Sequence, residues 1–204
     1  MVAHVTLRRE AIRVVLASAS TRRADLLRAA GIEFDVAPAH VDETVHEAES
    51  PERYVRRVAE DKARAVHRTS PGRVILAADT TVVVDAHILG KPDDAEDARR
   101  MLRLLSGRSH EVLTGVTIIG GGGDARTHVD RTAVDVLPLT PLEIDWYVES
   151  GEPMGKAGAY AIQGLASRFI RGIRGSYSNV VGLPVALVYE LLRGMADDVS
   201  RERG

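Results

Sequence analysis

The chain has 204 residues, 45% of them hydrophobic, and its 27 basic and 29 acidic side chains leave a formal net charge of −2. That composition suits one generous globular domain or two lobes sharing a cleft, and it excludes extended disorder and the broad basic field that nonspecific nucleic-acid binding requires. With no cysteine there is no disulfide framework, thiolate metal site or thiol nucleophile; Met1 to Glu10 holds no apolar signal core, and no stretch has the length of a membrane span, so a cytoplasmic protein is expected.

In chain order, Arg13 to Ala17 reads as a short apolar strand. Ser20 has the chemistry of an N-cap for a helix through Leu26, Leu27 and Ala30, closed by Gly31. Phe34-Asp35-Val36 reads as a second strand, and beyond a loop Ser50-Pro51 opens a helix with proline at its first position. The apolar face of that helix runs through Val55, Ala59 and Val66, and the position completing the spacing is Lys62. Two readings of Lys62 stand open: a packed stem with its head in water, or an ammonium buried at a site.

The next segment, Val74 to Val84, is apolar or β-branched throughout except for Asp79, as a strand covered on both faces reads. An ionised carboxylate there carries a desolvation cost of several kcal/mol unless a cation or a set of donors compensates it. The bland alternative ends the strand at Ala78 and leaves Asp79 on a solvated turn, but the apolar run resumes after it. A metal ion or a cationic partner is therefore implied.

Asp93 and Glu96 have the spacing of an acidic capping box for a helix through Met101, Leu102 and Leu105, stopped by Gly107. Val112 to Ile119 and Thr127 to Leu137 read as a hairpin about the turn Gly120 to Gly123. Thr140-Pro141-Leu142-Glu143 is a full helix start, placing Trp146 and Tyr147 on a short helix. A glycine-rich stretch then leads through Gln163 to a strand around Phe169-Ile170, and Pro184 starts a last helix through Leu187, Leu191 and Leu192. The tail from Ala196 is charged and reads as a frayed end. No linker or repeat divides the chain, so a single α/β domain over 13–195 is expected, a mixed β-sheet flanked by helices, with short extensions at 1–12 and 196–204.

Candidate chemistry begins at the first strand-to-helix junction. Ser18-Ala19-Ser20-Thr21-Arg22-Arg23 sets hydroxyls and two guanidinium groups at a helix N-terminus, where free backbone N–H groups and the dipole favour an anion. A pair of arginines on a solvated face is the competing reading. The glycines and the Lys-Ser/Thr ending of a Walker A loop are missing. Paired acids at Asp42 and Glu43, a lysine at the rigid turn Gly90-Lys91-Pro92, and Lys62 add the remaining parts of metal-assisted phosphoryl chemistry.

The order of these motifs resembles the Maf family of nucleoside triphosphate pyrophosphatases. The resemblance rests on Leu16-Ala17-Ser18-Ala19-Ser20-Thr21-Arg22-Arg23, Val41-Asp42-Glu43, Lys62-Ala63, Ala78-Asp79-Thr80, Leu89-Gly90-Lys91-Pro92, Tyr160-Ala161-Ile162-Gln163-Gly164 and Gly175 to Pro184, and spans nearly the whole chain. It implies two lobes around a substrate cleft and hydrolysis of a nucleoside triphosphate between the α and β phosphorus atoms, with a divalent metal, Mg²⁺ or Mn²⁺. By the same resemblance Asp79 is the proton acceptor, and Glu43, Lys62 and Lys91 belong to the reaction centre. Glu43 and Asp79 are the carboxylates for the metal, Ser18, Arg22 and Arg23 face phosphate, and a homodimer is implied. Arg22, Thr80 and Gln163 match the residues carried by members acting on dTTP and UTP; the Gln163 amide presents both a donor and an acceptor to an imide edge. Thr21 departs from the proline many members carry. The alternatives are a division regulator that holds nucleotide without turnover, a nucleic-acid binder using Arg168, Arg171 and Arg174, and a pyrophosphatase of the inosine-triphosphate type. Balanced charge and few aromatic residues speak against the nucleic-acid reading.

Overall fold

The computed structural model describes residues 12–202, with side chains through Met195. Of the expected extensions, residues 1–11, 203 and 204 lie outside the described residues, as do the side chains from Ala196 on. The strands are β1 (Val14–Leu16), β2 (Phe34–Val36), β3 (Val74–Val84), β4 (His87–Leu89), β5 (Ser109–Ile119), β6 (Ala125–Val136) and β7 (Ile170–Arg174). They form one mixed sheet in the order β2-β1-β3-β5-β6-β7, with β4 attached to β3. The pairings β1–β2 and β1–β3 are parallel and the others antiparallel. The helices are α1 (Thr21–Ala29), α2 (Pro51–His67), α3 (Ala95–Leu105), α4 (Pro141–Glu149), α5 (Tyr177–Val181) and α6 (Val185–Glu202), with 3₁₀ turns at Ala157–Ala159 and Leu165–Phe169.

Local chemistry sets most boundaries as the sequence leads one to expect. Ser20 and Ser50 cap α1 and α2 through their hydroxyls. Thr140 and Glu143 form the reciprocal capping box of α4, Glu143 N–H donating to Thr140 Oγ1 at 3.3 Å and Thr140 N–H to Glu143 Oε2 at 2.7 Å. The start of α3 is corrected by one residue: its cap is Asp94, not Asp93, because the Asp94 carboxylate reaches Asp97 N–H at 2.8 Å. Asp97 in turn accepts from Asp93 N–H, while Glu96 pairs with Arg103 at 3.0 Å. Two elements, β4 and α5, have no counterpart in the sequence reading. The hairpin to β4 turns through Asp85 (φ 48°) and Ala86 (φ 64°), both at positive φ without the glycine or asparagine that normally announces such a turn. Helix α5 is five residues long, too short for an apolar period to register. The helix α6 runs on through Ala196 to Glu202 where a frayed end was expected.

Strand β3 organises the core, and its two faces are interrupted at adjacent positions. On one face Leu76 and Ala78 pack with Leu27, Leu183 and Val188 under α1 and α6, whereas Val82 and Val84 pack with Met101, Leu102 and Tyr147 under α3 and α4. Thr80 falls in the gap between these clusters. On the other face Ile75 and Ala77 meet Ala63 and Val66 of α2, Val83 meets Val55, and Asp79 lies between. The edge of the sheet opens at the same place: β1 pairs with β3 through Leu76, and β4 begins pairing at Val82. Among the described residues, Ala78 to Thr81 therefore have no strand neighbour on that edge. This break beyond the C-terminal end of a parallel strand is where open α/β sheets place their ligand sites. Across the other edge Asp79 faces Gly115 of β5. A Cβ there would lie 2.2 Å from the Val55 carbonyl oxygen, so the missing side chain is what lets α2 lie directly against the sheet.

Candidate active site

The break in the sheet opens into a cleft of about 710 Å³. At its floor Lys62, projecting from α2, donates to Asp79 Oδ1 at 2.7 Å and contacts Glu43 Oε1 at 2.8 Å. Lys62 is 7% and Asp79 6% exposed. The ammonium is thus the cation that the isolated carboxylate requires, and the lysine does not reach for bulk water. Two carboxylates share one ammonium, which leaves Asp79 Oδ2 without a protein donor among the described residues. Burial by itself raises the Glu43 carboxyl, but the hydrogen bond and charge of Lys62, with Lys91 and Arg23 beyond, outweigh it and hold Glu43 below its ordinary value. Helix α2 also fixes the loop that delivers Glu43: Tyr54 OH donates to the Glu43 carbonyl at 3.1 Å, and Arg57 donates to the Thr44 carbonyl at 2.9 Å and to Glu49. Asp42, the other acid of the pair, turns away and accepts from Thr44 N–H at 2.9 Å.

The first strand-to-helix junction forms the next wall, and it treats its two arginines differently. Arg23 is buried and its fork is used within the protein: Nε donates to the Gly182 carbonyl at 2.8 Å, Nη1 to Ser18 Oγ at 3.1 Å, and Nη2 to Thr80 Oγ1 at 3.1 Å. Burial pushes its guanidinium below the usual arginine value, against the pull of Asp79. The Thr80 hydroxyl is further engaged with Thr114 at 2.9 Å. Ser18, Arg23 and Thr80 are thereby a bonded unit that ties α1 to the residues just before α6. Arg22, one residue earlier and half-buried on the cleft wall, has a guanidinium with no hydrogen bond or ion pair to any described residue.

Lys91 and Gln163 reach the same cleft from other elements. Lys91 lies on the loop after β4, and neither its ammonium nor the exposed Gln163 amide has a hydrogen-bonding partner among the described residues. The sequence reading passed over Lys156, which lines the cleft and donates to the carbonyls of Glu152 at 2.5 Å and Met154 at 3.4 Å. Burial and the nearness of Arg22 both hold its ammonium below the usual lysine value. Its only sequence signal was a cation amid the glycines at 155 and 158, which ordinarily reads as a solvated turn. Tyr54 was likewise missed, since an aromatic residue at the start of an amphipathic helix reads as packing. By contrast Arg168 stacks over Trp146 at 4.3 Å and Arg174 pairs with Asp135; neither lines the cleft.

Among the described residues there is no group of three or more His, Cys, Asp or Glu side chains arranged to hold a metal ion, and no helix is long and apolar enough to cross a membrane. The family described as Maf-like protein matches residues 13–195. A relative from Anaeromyxobacter sp. (strain Fw109-5), named dTTP/UTP pyrophosphatase, is 56% identical over 187 residues, covering 90% of this chain and 89% of that protein. Relatives of the same name from Anaeromyxobacter dehalogenans (strain 2CP-C) and Koribacter versatilis (strain Ellin345) are 55% identical over 89% of this chain and 93% of theirs, and 51% identical over 88% and 93%, respectively. With the family match running almost from end to end and the motifs gathered in one cleft, this chain belongs to the Maf family.

Proposed function

We propose that this chain hydrolyses nucleoside triphosphates, dTTP and UTP foremost, to the nucleoside monophosphate and pyrophosphate, as a cytoplasmic enzyme. The observation that carries the reading is the distribution of charge in the cleft. Two carboxylates are bound to one buried ammonium at the floor, while Arg22, Lys91 and Lys156 line the same cleft with no carboxylate in ion-pair contact among the described residues. Such a set of uncompensated cations fits a polyanion, and a floor carboxylate fits a proton acceptor beside it. The names of the relatives at 47–56% identity support the substrate class.

In this reading Lys62 orients Asp79 through its bond to Oδ1, and Oδ2 takes the proton of the attacking water. Arg22, Lys91 and Lys156 balance charge on the phosphate oxygens of substrate and leaving pyrophosphate. Arg23 and Thr80 act from behind, fixing the wall on which Arg22 stands. The Gln163 amide meets the imide edge of thymine or uracil. The donor chemistry also fits a hard divalent cation: Glu43 and Asp79 lie close enough to share one ammonium, and with no third acid grouped with them among the described residues the rest of the shell falls to substrate phosphate and water. These two residues would hold Mg²⁺ or Mn²⁺, which when bound draws charge from the phosphoryl oxygens.

The test is pyrophosphate release from dTTP, UTP, CTP, 7-methyl-GTP and ITP, with Mg²⁺ or with EDTA, for wild type and Asp79→Asn. The expected result is metal-dependent turnover of dTTP and UTP, lowered about 100-fold or more in the variant. Five intact triphosphates, one of them still bound, would replace this reading with a nucleotide-holding regulator.

A further inference from the structure

Gln163 stands on the segment 161–166, which has no β-strand or α-helix of its own and enters a 3₁₀ turn only at Leu165. Two side chains from α4 and the turn after it grip this segment at both ends. At the near end Ala161 N–H donates to Tyr147 OH at 3.3 Å. At the far end Leu165 N–H donates to Glu152 Oε2 at 2.9 Å and Ala166 N–H to Glu152 Oε1 at 3.3 Å. The two grips are joined, because Tyr147 OH donates to Glu152 Oε1 at 2.9 Å. The approach is close enough that a Cβ on Gly164 would lie 2.1 Å from Glu152 Oε2. Tyr147 is fully buried. Glu152 also offers its backbone carbonyl to Lys156. A carboxylate drawn out of bulk water to collect two backbone donors and a phenol has a definite geometric effect: it fixes how far Gln163 projects into the cleft and in which direction.

We propose that Glu152, locked by Tyr147, is a positioning residue for base selection, holding segment 161–166 so that the Gln163 amide meets the base edge. The proposal rests on the reading that a pyrimidine nucleotide occupies this cleft. Glu152 has its carboxylate turned into the segment and does not touch the base; its effect passes through Gln163. Burial alone raises its carboxyl, but the donors from Leu165, Tyr147 and Ala166 outweigh that, so it stays an ionised acceptor at ordinary pH. Glu152→Gln replaces one acceptor oxygen by an N–H₂ group facing these donors, so that at least one of the bonds must open. Tyr147→Phe removes the hydroxyl that joins the two ends and leaves the carboxylate in place.

The test is the ratio of Kd for dCTP to Kd for dTTP, read by calorimetry with Mg²⁺ in an Asp79→Asn host, where turnover does not interfere. Cytosine lacks the imide N–H that a correctly held amide reads. Glu152→Gln and Tyr147→Phe are each expected to lower the ratio about tenfold, as expected when one base hydrogen bond is misplaced, with folding confirmed by thermal melts. Gln163→Ala is expected to lower it by a similar factor, and adding Glu152→Gln to Gln163→Ala to lower it no further. An unchanged ratio in both clasp variants, or independent multiplication of the 152 and 163 effects, overturns the positioning role. Loss of selectivity in the clasp variants with none in Gln163→Ala also overturns it. Because binding is the readout, these outcomes are separate from whether the wild-type chain releases pyrophosphate.

Discussion

Replacing Lys62 by methionine keeps most of the volume of its stem and deletes the ammonium. Wild-type Lys62 and Asp79 are 7% and 6% exposed and meet at 2.7 Å. At that distance their attraction is about 6 kcal/mol for an effective dielectric constant near 20, before the cost of desolvating both groups is subtracted. Removing one partner of such a buried pair strands the other, and the net loss is about 3–5 kcal/mol. Glu43 contributes below about 1 kcal/mol to this, since its side chain is 44% exposed and its contact is screened. For a chain of this length each kcal/mol lowers Tm by about 2–4 °C, so Lys62→Met should melt about 6–20 °C below wild type. The assay is a set of thermal melts of Lys62→Met, Asp79→Asn and the double variant. Replacing Asp79 as well removes the stranded charge, so the double variant should be more stable than Lys62→Met alone. If Lys62→Met melts within about 2 °C of wild type, or if the two single losses add in the double variant, the pair does not hold the cleft floor as described.

Three further outcomes follow from the same structure. His110, buried and bonded to Tyr160 OH at 2.8 Å, has its pKa pushed down by burial to about 4. The unfolded chain therefore protonates there first, so stability is full above about pH 6.5 and declines by about 3 kcal/mol as pH falls to about 4; His110→Phe should flatten that part of the profile, and parallel wild-type and variant profiles would contradict it. Gly115→Ala forces a methyl group against the α2 backbone at Val55 and should cost about 3 kcal/mol or more in urea unfolding; a loss below about 1 kcal/mol would mean α2 moves freely away from the sheet. Arg23→Lys keeps the charge but not the fork that reaches Gly182, Ser18 and Thr80, so a loss of about 2–3 kcal/mol is expected by the same measurement, and an unchanged midpoint would argue against the bonded wall.

What the sequence revealed of this site depended on conflict between a residue and its surroundings. Asp79 and Lys62 were legible because each sets a charge where the period of its strand or helix demands an apolar side chain, and the structure pairs them. Arg22 and Arg23 were not separable, because both sit on the first turn of α1 and acceptors far along the chain, the Gly182 carbonyl and the Thr80 hydroxyl, help decide which one is drawn inward. Asp42 and Glu43 presented the same ambiguity, settled by an N–H two residues away. Glu152, Tyr54 and Lys156 lie in contexts where a charged or aromatic residue is ordinary, so no local conflict marked them. The fold was legible wherever caps and alternation agreed, as at Thr140 and along β3, and failed at β4, whose turn places Ala86 after Asp85 at a positive φ where glycine is the usual signal.

The unpaired stretch of β3 between β1 and β4 has a second meaning. A strand edge without a neighbour leaves backbone donors and acceptors open to an extended chain that enters the cleft, and its flanks here, Val74 to Ala77 and Val82 to Val84, are as apolar as a seed for such pairing requires. Natural sheets guard an exposed edge with an inward-pointing charge, and Asp79 stands within the unpaired residues with its charge turned toward α2. The carboxylate assigned here to the reaction therefore also makes the opening of the cleft unattractive to a foreign strand, and its replacement by an apolar residue would remove a safeguard against self-association together with the proposed chemistry.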